Sequence, residues 1–125
     1  MSAPAAEHFV IDTHRDGSTE VVVVRGEVDT ATAPLLRAVL DTVVGRRPGR
    51  LEVDLSGASY LGAHALTALT ETRSRLAARR VRLVLRDPSP AARRLLVRTD
   101  LALDIVDGDG ADAPAYGSGR QLFLS

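Results

Sequence analysis

Apolar positions along this chain fall into two periods, which together predict an alternating series of strands and helices. His8-Phe9-Val10-Ile11 is a short apolar run, and Thr19 to Gly26 holds four consecutive valines; both read as strands. Arg15-Asp16-Gly17-Ser18 between them has hairpin-turn composition, so the pair is expected to be antiparallel. From Leu35 the apolar residues Leu35, Leu36, Val39, Leu40, Val43 and Val44 recur at helical spacing. Thr32 offers a cap, Pro34 sits in the first turn, and Gly45 to Pro48 stops the helix. Leu51-Glu52-Val53-Asp54-Leu55 and Val81-Arg82-Leu83-Val84-Leu85-Arg86 alternate with period two, which predicts strands with one buried face and one face of solvated charge. Residues 62–79 form a second helix with Leu66, Leu69 and Leu76 inward, and Ser89-Pro90 opens a short third helix through Leu95 and Leu96.

The charged alternation decides the architecture. Parallel sheets covered on both faces tend toward uninterrupted apolar strands, so these strands argue for helices stacked mainly on one face. The expected fold is α/β, with a mixed sheet of four or five strands. Leu101 to Val106 closes either the sheet or the third helix layer. One domain is expected over residues 8–106, with a tail over 1–7 and a Gly/Asp-rich tail over 107–125, whose Gln121-Leu122-Phe123-Leu124 could dock back on the body.

Composition narrows the chemistry. The 125 residues, 45% of them hydrophobic, suffice for one core without metals or disulfides. There is no cysteine, which excludes thiolate catalysis and thiolate zinc sites and fits a reducing compartment. No basic-then-apolar leader opens the sequence, and no apolar run reaches the ~18 residues of a membrane span, so no membrane insertion and a cytoplasmic location are expected. All 16 basic residues are arginine, which removes lysine-based phosphate loops and Schiff-base chemistry. Nine arginines and one acid lie between Arg73 and Arg98, and five aspartates lie between Asp100 and Asp112. These read first as solvated faces neutralising one another, and second as a docking surface for an acidic partner. Nucleic acid is not an expected partner, because no aromatic residue sits within the arginine run to stack bases.

The stretch from Val53 to Leu66 is the most informative. A strand is expected to pass through a polar turn into a helix whose opening holds His64, where unpaired backbone N–H groups and the helix dipole act on any occupant.

The element order and three phrases of this chain resemble the STAS domain of bacterial anti-sigma-factor antagonists. Gly26-Glu27-Val28-Asp29 is similar to that family's loop before its first helix. Val53-Asp54-Leu55-Ser56-Gly57 with Tyr60-Leu61 is similar to its third strand and the approach to its regulatory turn, and Ser89-Pro90-Ala91-Ala92-Arg93-Arg94-Leu95-Leu96 to its third-helix entry. The likeness covers residues 8 to 106. It implies a non-enzymatic interaction module that binds an anti-sigma factor or a serine-kinase-type regulator and takes part in transcription regulation. In the family the turn usually reads Asp-Ser-Ser-Gly, and its second hydroxyl is phosphorylated by a partner kinase. The aligned residues here are Gly62, Ala63, His64 and Ala65, so His64 stands at a degenerate phosphoacceptor position. A phosphoserine adds about −1.5 to −2 charge and three acceptor oxygens, and His64 cannot receive it from a serine kinase.

The resemblance makes Glu27, Asp29, Tyr60, Gly62, Ala63, His64 and Ala65 the expected partner-binding residues. Each has a plainer reading: His64 as a polar residue tolerated at a helix opening, Asp29 as a helix-entry cap, Tyr60 and Ser59 as turn and packing residues. The nearby hydroxyls of Ser56, Ser59, Tyr60 and Thr67 are weaker substitutes for the missing acceptor. Asp54 has no histidine or carboxylate at a readable spacing for acid–base work, and His8, His14 and His64 form no metal-ligand pattern. No cofactor, metal or catalytic residue is therefore expected. Two other functions remain open: the STAS subunit of a lipid-transport ABC complex, and a nucleotide-binding STAS protein. The sequence also leaves a homodimer open.

Overall fold

The computed structural model describes residues 9–108; the expected tail over 1–7, His8 and residues 109–125 lie outside them. Five strands form one sheet in chain order: β1 (Phe9–Asp16), β2 (Thr19–Val28), β3 (Arg50–Leu61), β4 (Arg82–Arg86) and β5 (Ile105–Val106). β1 and β2 are antiparallel, joined at Gly17-Ser18, and Gly17 takes the positive φ of 64° that so tight a turn requires. Every later pair is parallel, so each needs a crossover, and the helices supply them. α1 (Ala33–Gly45) links β2 to β3, α2 (Ala63–Ala77) links β3 to β4, and α3 (Pro90–Leu96) with a short 3₁₀ turn (Asp100–Asp104) links β4 to β5.

The helical spacing read from the sequence is the buried face of α1: Leu36, Leu40, Val43 and Val44 are fully buried, while Leu35 is turned outward and 53% exposed. α2 has a narrower stripe of Ala65, Ala68, Leu69, Thr72 and Leu76. Both pack on the side of the sheet holding Val22, Val24, Leu51, Val53, Leu83 and Leu85, one continuous core that also takes Leu96 and Leu101. Ser89 caps α3 as its Ser-Pro opening implies, its hydroxyl accepting from the Ala92 N–H at 3.0 Å and donating to the Ala58 carbonyl.

Three local expectations need correction. The third strand does not stop at Leu55 before a polar turn; it continues to Leu61, because its partner β2 runs on to Val28 and keeps supplying ladder bonds. Thr32 does not cap α1 with its side chain. Nor are all the charges on the second face of β3 and β4 solvated: Arg82 is exposed and Asp54 partly so, but Glu52 and Arg86 are not. Glu52 and Arg86 are only 4% and 7% exposed, because the parallel register sets Arg86 diagonally across from Glu52. Arg86 Nη2 lies 3.1 Å and Arg50 Nε 3.2 Å from Glu52 Oε2. Leu101 to Val106 does both things open to it, packing Leu101 into the core and adding β5 to the sheet edge.

The charge blocks neutralise each other in part. Arg73 Nε stands 2.8 Å from Asp104 Oδ2, and Arg93 pairs with Asp107.

Candidate functional site

The parallel register of β2 and β3 assembles the candidate site. It places Glu27 opposite Tyr60 and Val28 opposite Leu61, so the loop entering α1 and the opening of α2 emerge side by side at one end of the sheet. The register shifts between Gly26 and Glu27, where Gly26 adopts φ 97°, a conformation that a side chain would strain. This irregularity at the strand end re-aims Glu27, whose side chain is exposed.

Asp29 organises the loop. Its Oδ1 accepts from the backbone N–H groups of Ala31 at 2.9 Å and Thr32 at 3.0 Å, and its carbonyl accepts from Ala33 at 2.8 Å. Its side chain thus closes the turn that leads into α1, and its carbonyl takes the first N–H of the helix. The Thr32 hydroxyl instead donates to the Glu27 carbonyl at 2.7 Å and accepts from the Asp29 N–H at 2.9 Å, bracing the loop from within. Hydrogen bonds from the Thr32 backbone and side chain, foremost among the causes, hold the Asp29 carboxyl below its ordinary value.

Gly62 joins the two halves. Its N–H donates to the Val28 carbonyl at 2.9 Å and its carbonyl accepts from Leu66 at 3.0 Å. Its backbone angles, φ −76° and ψ 176°, suit any residue, so the demand for glycine here is one of space. A Cβ would stand 3.3 Å from both Tyr60 Cε2 and the Val28 carbonyl oxygen. Tyr60 thus lies against Gly62 while remaining 46% exposed as a residue.

Ala63 and His64, the first two residues of α2, are exposed. No side chain caps this helix, and its first turn carries no acidic residue. His64 separates two concavities. One, of about 350 Å³, is lined by Asp29, Thr30, Tyr60, Gly62, Ala63 and His64; the other, of about 320 Å³, by Thr30, Ala33, Pro34, Arg37 and His64. Arg37 pairs with Glu71 across the two helices.

Of the seven residues anticipated as a binding site, five stand together on the surface: Glu27, Asp29, Tyr60, Ala63 and His64. The other two do not face outward. Ala65 is fully buried in the core and Gly62 is buried beneath Tyr60, so both position the surface without contributing to it. Thr30, Pro34 and Arg37 extend the surface and were missed, because their places beside His64 follow from the approach of α1 to α2 and not from any local motif. Asp54 accepts from the Ser56 N–H at 2.9 Å and the Ser56 hydroxyl at 2.7 Å, bracing β3 where its register with β2 shifts between Val23 and Arg25. Among the described residues, no group of three or more histidine and carboxylate side chains is arranged to hold a metal ion, and no helix is long and apolar enough to cross a membrane.

A mixed sheet with this strand order, and an exposed strand-to-helix junction at one end, is the architecture of an α/β domain of the STAS type. The chain belongs to the STAS domain family, whose profile matches residues 10–111. It is 32% identical over 76 residues to the anti-sigma-F factor antagonist RsfB of Mycobacterium tuberculosis, an alignment covering 61% of each chain. The chain thus spans about three fifths of the length of that relative. A crystal structure of an anti-sigma factor antagonist from Mycobacterium paratuberculosis superimposes with a TM-score of 0.72 at 30% identity, covering 94% of this chain and 97% of that one. The unphosphorylated form of the anti-sigma factor antagonist SpoIIAA shares the fold with a TM-score of 0.75 at 19% identity, covering 86% and 97% of the two chains. The protein is therefore an anti-sigma factor antagonist-like STAS protein.

Proposed function

We propose that this protein is a non-enzymatic interaction module that binds an anti-sigma factor through Glu27, Asp29, Tyr60, Ala63 and His64. In this reading its binding is not under serine-kinase control at the opening of α2. The register that sets Glu27 beside Tyr60 carries the proposal, because it builds one continuous surface from two loops distant in sequence. The half-exposed tyrosine, ringed by polar groups, has the amphipathic character of an interface anchor.

Exposed His64 supplies the second part. In the family whose turn this one replaces, a phosphorylated hydroxyl would add about −1.5 to −2 charge and repel or desolvate a docked partner. An imidazole offers one donor or acceptor and no acceptor for a serine kinase's phosphoryl group. Association then depends on concentration and affinity alone, as in a constitutive antagonist or a scaffold subunit.

The test is titration calorimetry of the purified protein against the anti-sigma factors of its native cell, with Tyr60→Ala and His64→Glu as comparisons. One tight partner is expected for the wild type and weakened binding for both variants. Unchanged affinity in both, at intact fold, would overturn the assignment of the surface.

A further inference from the structure

β1 forms one edge of the sheet. It is eight residues long, its register with β2 runs without a bulge from Phe9 to Asp16, and among the described residues no strand lies along its outer side. The opposite edge, β5, has only two residues. A long edge free of proline and bulges offers a row of backbone donors and acceptors to another strand.

The hairpin fixes which residues offer them. Asp16 and Thr19 flank a two-residue turn and so exchange both of their backbone hydrogen bonds; with continuous register, the residues of β1 bonded inward to β2 are Val10, Asp12, His14 and Asp16. Ile11, Thr13 and Arg15 therefore turn their N–H and C=O groups outward. Side chains alternate in the same rhythm. Phe9 and Ile11 point to the core side, while Val10, Asp12 and His14, opposite Arg25, Val23 and Val21, point to the face away from the helices. On the core side, a groove of about 230 Å³ lies between Thr13 and the Ala38, Val39 and Thr42 flank of α1.

We propose that β1 pairs antiparallel with β1 of a second copy about a two-fold axis at Thr13, joining the two sheets into one. Outward groups can meet in two-fold registers centred on Ile11, Asp12, Thr13 or His14, and the side chains choose among them. A centre at Asp12 sets two aspartates face to face, and one at His14 sets Asp12 against Asp16. A centre at Ile11 sets Val10 against Asp12 and overlaps the strands over residues 9–13 alone. The centre at Thr13 sets Asp12 against His14 twice, a carboxylate facing a ring that can donate to it, and opposes no like charges. It gives roughly six backbone hydrogen bonds between the copies and brings Ile11 and Thr13 of the second copy along the groove beside α1. Residues 10–16 do not belong to the surface around His64, so the symmetric pair presents two such surfaces.

Sedimentation equilibrium of the full chain tests the proposal, and a reversible monomer–dimer equilibrium is expected. Thr13→Pro removes an N–H that points away from β2, so the hairpin keeps its bonds while the dimer is expected to weaken by about tenfold or more. His14→Asp sets like charges together and is expected to weaken the dimer too, and adding Asp12→His restores the facing pair and with it the affinity. Because the chain holds no cysteine, Thr13→Cys supplies one thiol per copy, and in the pair the two stand across the axis at a Cα spacing of about 5.5 Å, within disulfide reach. Mild oxidation is expected to yield a covalent dimer with Thr13→Cys and not with Thr70→Cys, at an exposed position of α2. A wild type that stays monomeric at every concentration, a dimer indifferent to Thr13→Pro and His14→Asp, a double variant as weak as His14→Asp alone, or equal cross-linking at both positions would each overturn the proposal.

Discussion

Gly62 donates its backbone N–H to the carbonyl of Val28 at 2.9 Å, and this bond holds the opening of α2 against the end of β2. Because Glu27 stands opposite Tyr60 in the same ladder, the geometry of the candidate surface depends on how closely this junction packs. Substituting Gly62 by alanine tests that dependence. The backbone tolerates alanine, but the added methyl meets the Tyr60 ring and the Val28 oxygen at 3.3 Å. A stability loss of about 1 kcal/mol is expected from this overpacking, with a larger proportional loss of partner affinity as Tyr60 is displaced. Chemical denaturation and calorimetry on the same variant separate the two effects.

Asp29 gives the loop a pH dependence with a definite sign. Hydrogen bonds from Thr32 and Ala31 favour the ionised carboxylate and lower its pKa below the ordinary 3.8. Its contribution is therefore present above pH 3.8 and lost as the pH falls through the depressed folded value. Asp29→Asn keeps an acceptor for the capping bonds but cannot ionise. The gap in melting temperature between wild type and Asp29→Asn is expected to be widest near neutral pH and to close on acidification. Asp29→Ala, lacking the acceptor, is expected to melt below both at neutral pH.

The Asp104 carboxyl responds in the opposite sense. Burial raises its pKa, and the charges of Arg73 and Arg82 oppose the shift only in part. Its Oδ2 is buried and, though 2.8 Å from Arg73 Nε, lies outside hydrogen-bonding geometry. The folded protein therefore holds a proton at Asp104 more firmly than the unfolded chain, and this group's contribution declines as the pH rises from 3.8 through the raised folded value. Asp104→Asn should remove that decline, seen as a flatter stability profile across the acidic range.

Glu52 is the charge whose removal should cost most. Set within hydrogen-bonding distance of Arg50 and Arg86 and nearly excluded from water, it compensates two guanidinium groups at the centre of the sheet. Glu52→Ala is expected to destabilise the fold by about 3 kcal/mol, read as a lower denaturant midpoint. Pairing Glu52→Leu with Arg86→Met should recover much of that loss, since the double change no longer strands Arg86.

These buried charges also mark where sequence reasoning stopped short. The period-two alternation of Leu51 to Leu55 correctly placed Glu52 and Asp54 on the face opposite the core, yet could not tell a solvated face from one crowded by neighbouring strands. Crowding depends on which residues the register brings alongside, and Arg86 is 34 positions away in the chain. Elements with strong local signals were legible: the α1 periodicity from Leu35 to Val44, the Ser89-Pro90 cap and the hairpin at Gly17. The motifs singled out Glu27, Asp29, Tyr60 and His64, and the fold brings these four together at one end of the sheet. Pro34 and Arg37 were not, because they join the surface only through the packing of α1 beside α2. Ala65 was misjudged for a related reason: one helical position beyond His64 turns its side chain inward by about 100°.

The central claim is that the opening of α2 is a docking surface free of added phosphate. The most direct measurement is the affinity of the wild-type protein for the anti-sigma factor that the proposed function assigns to it, before and after incubation with ATP and a serine kinase of the same cell, with mass spectrometry of residues 56–67 on the same samples. Unchanged affinity and an unmodified peptide are predicted. Loss of binding accompanied by stoichiometric phosphate within that peptide would contradict the claim.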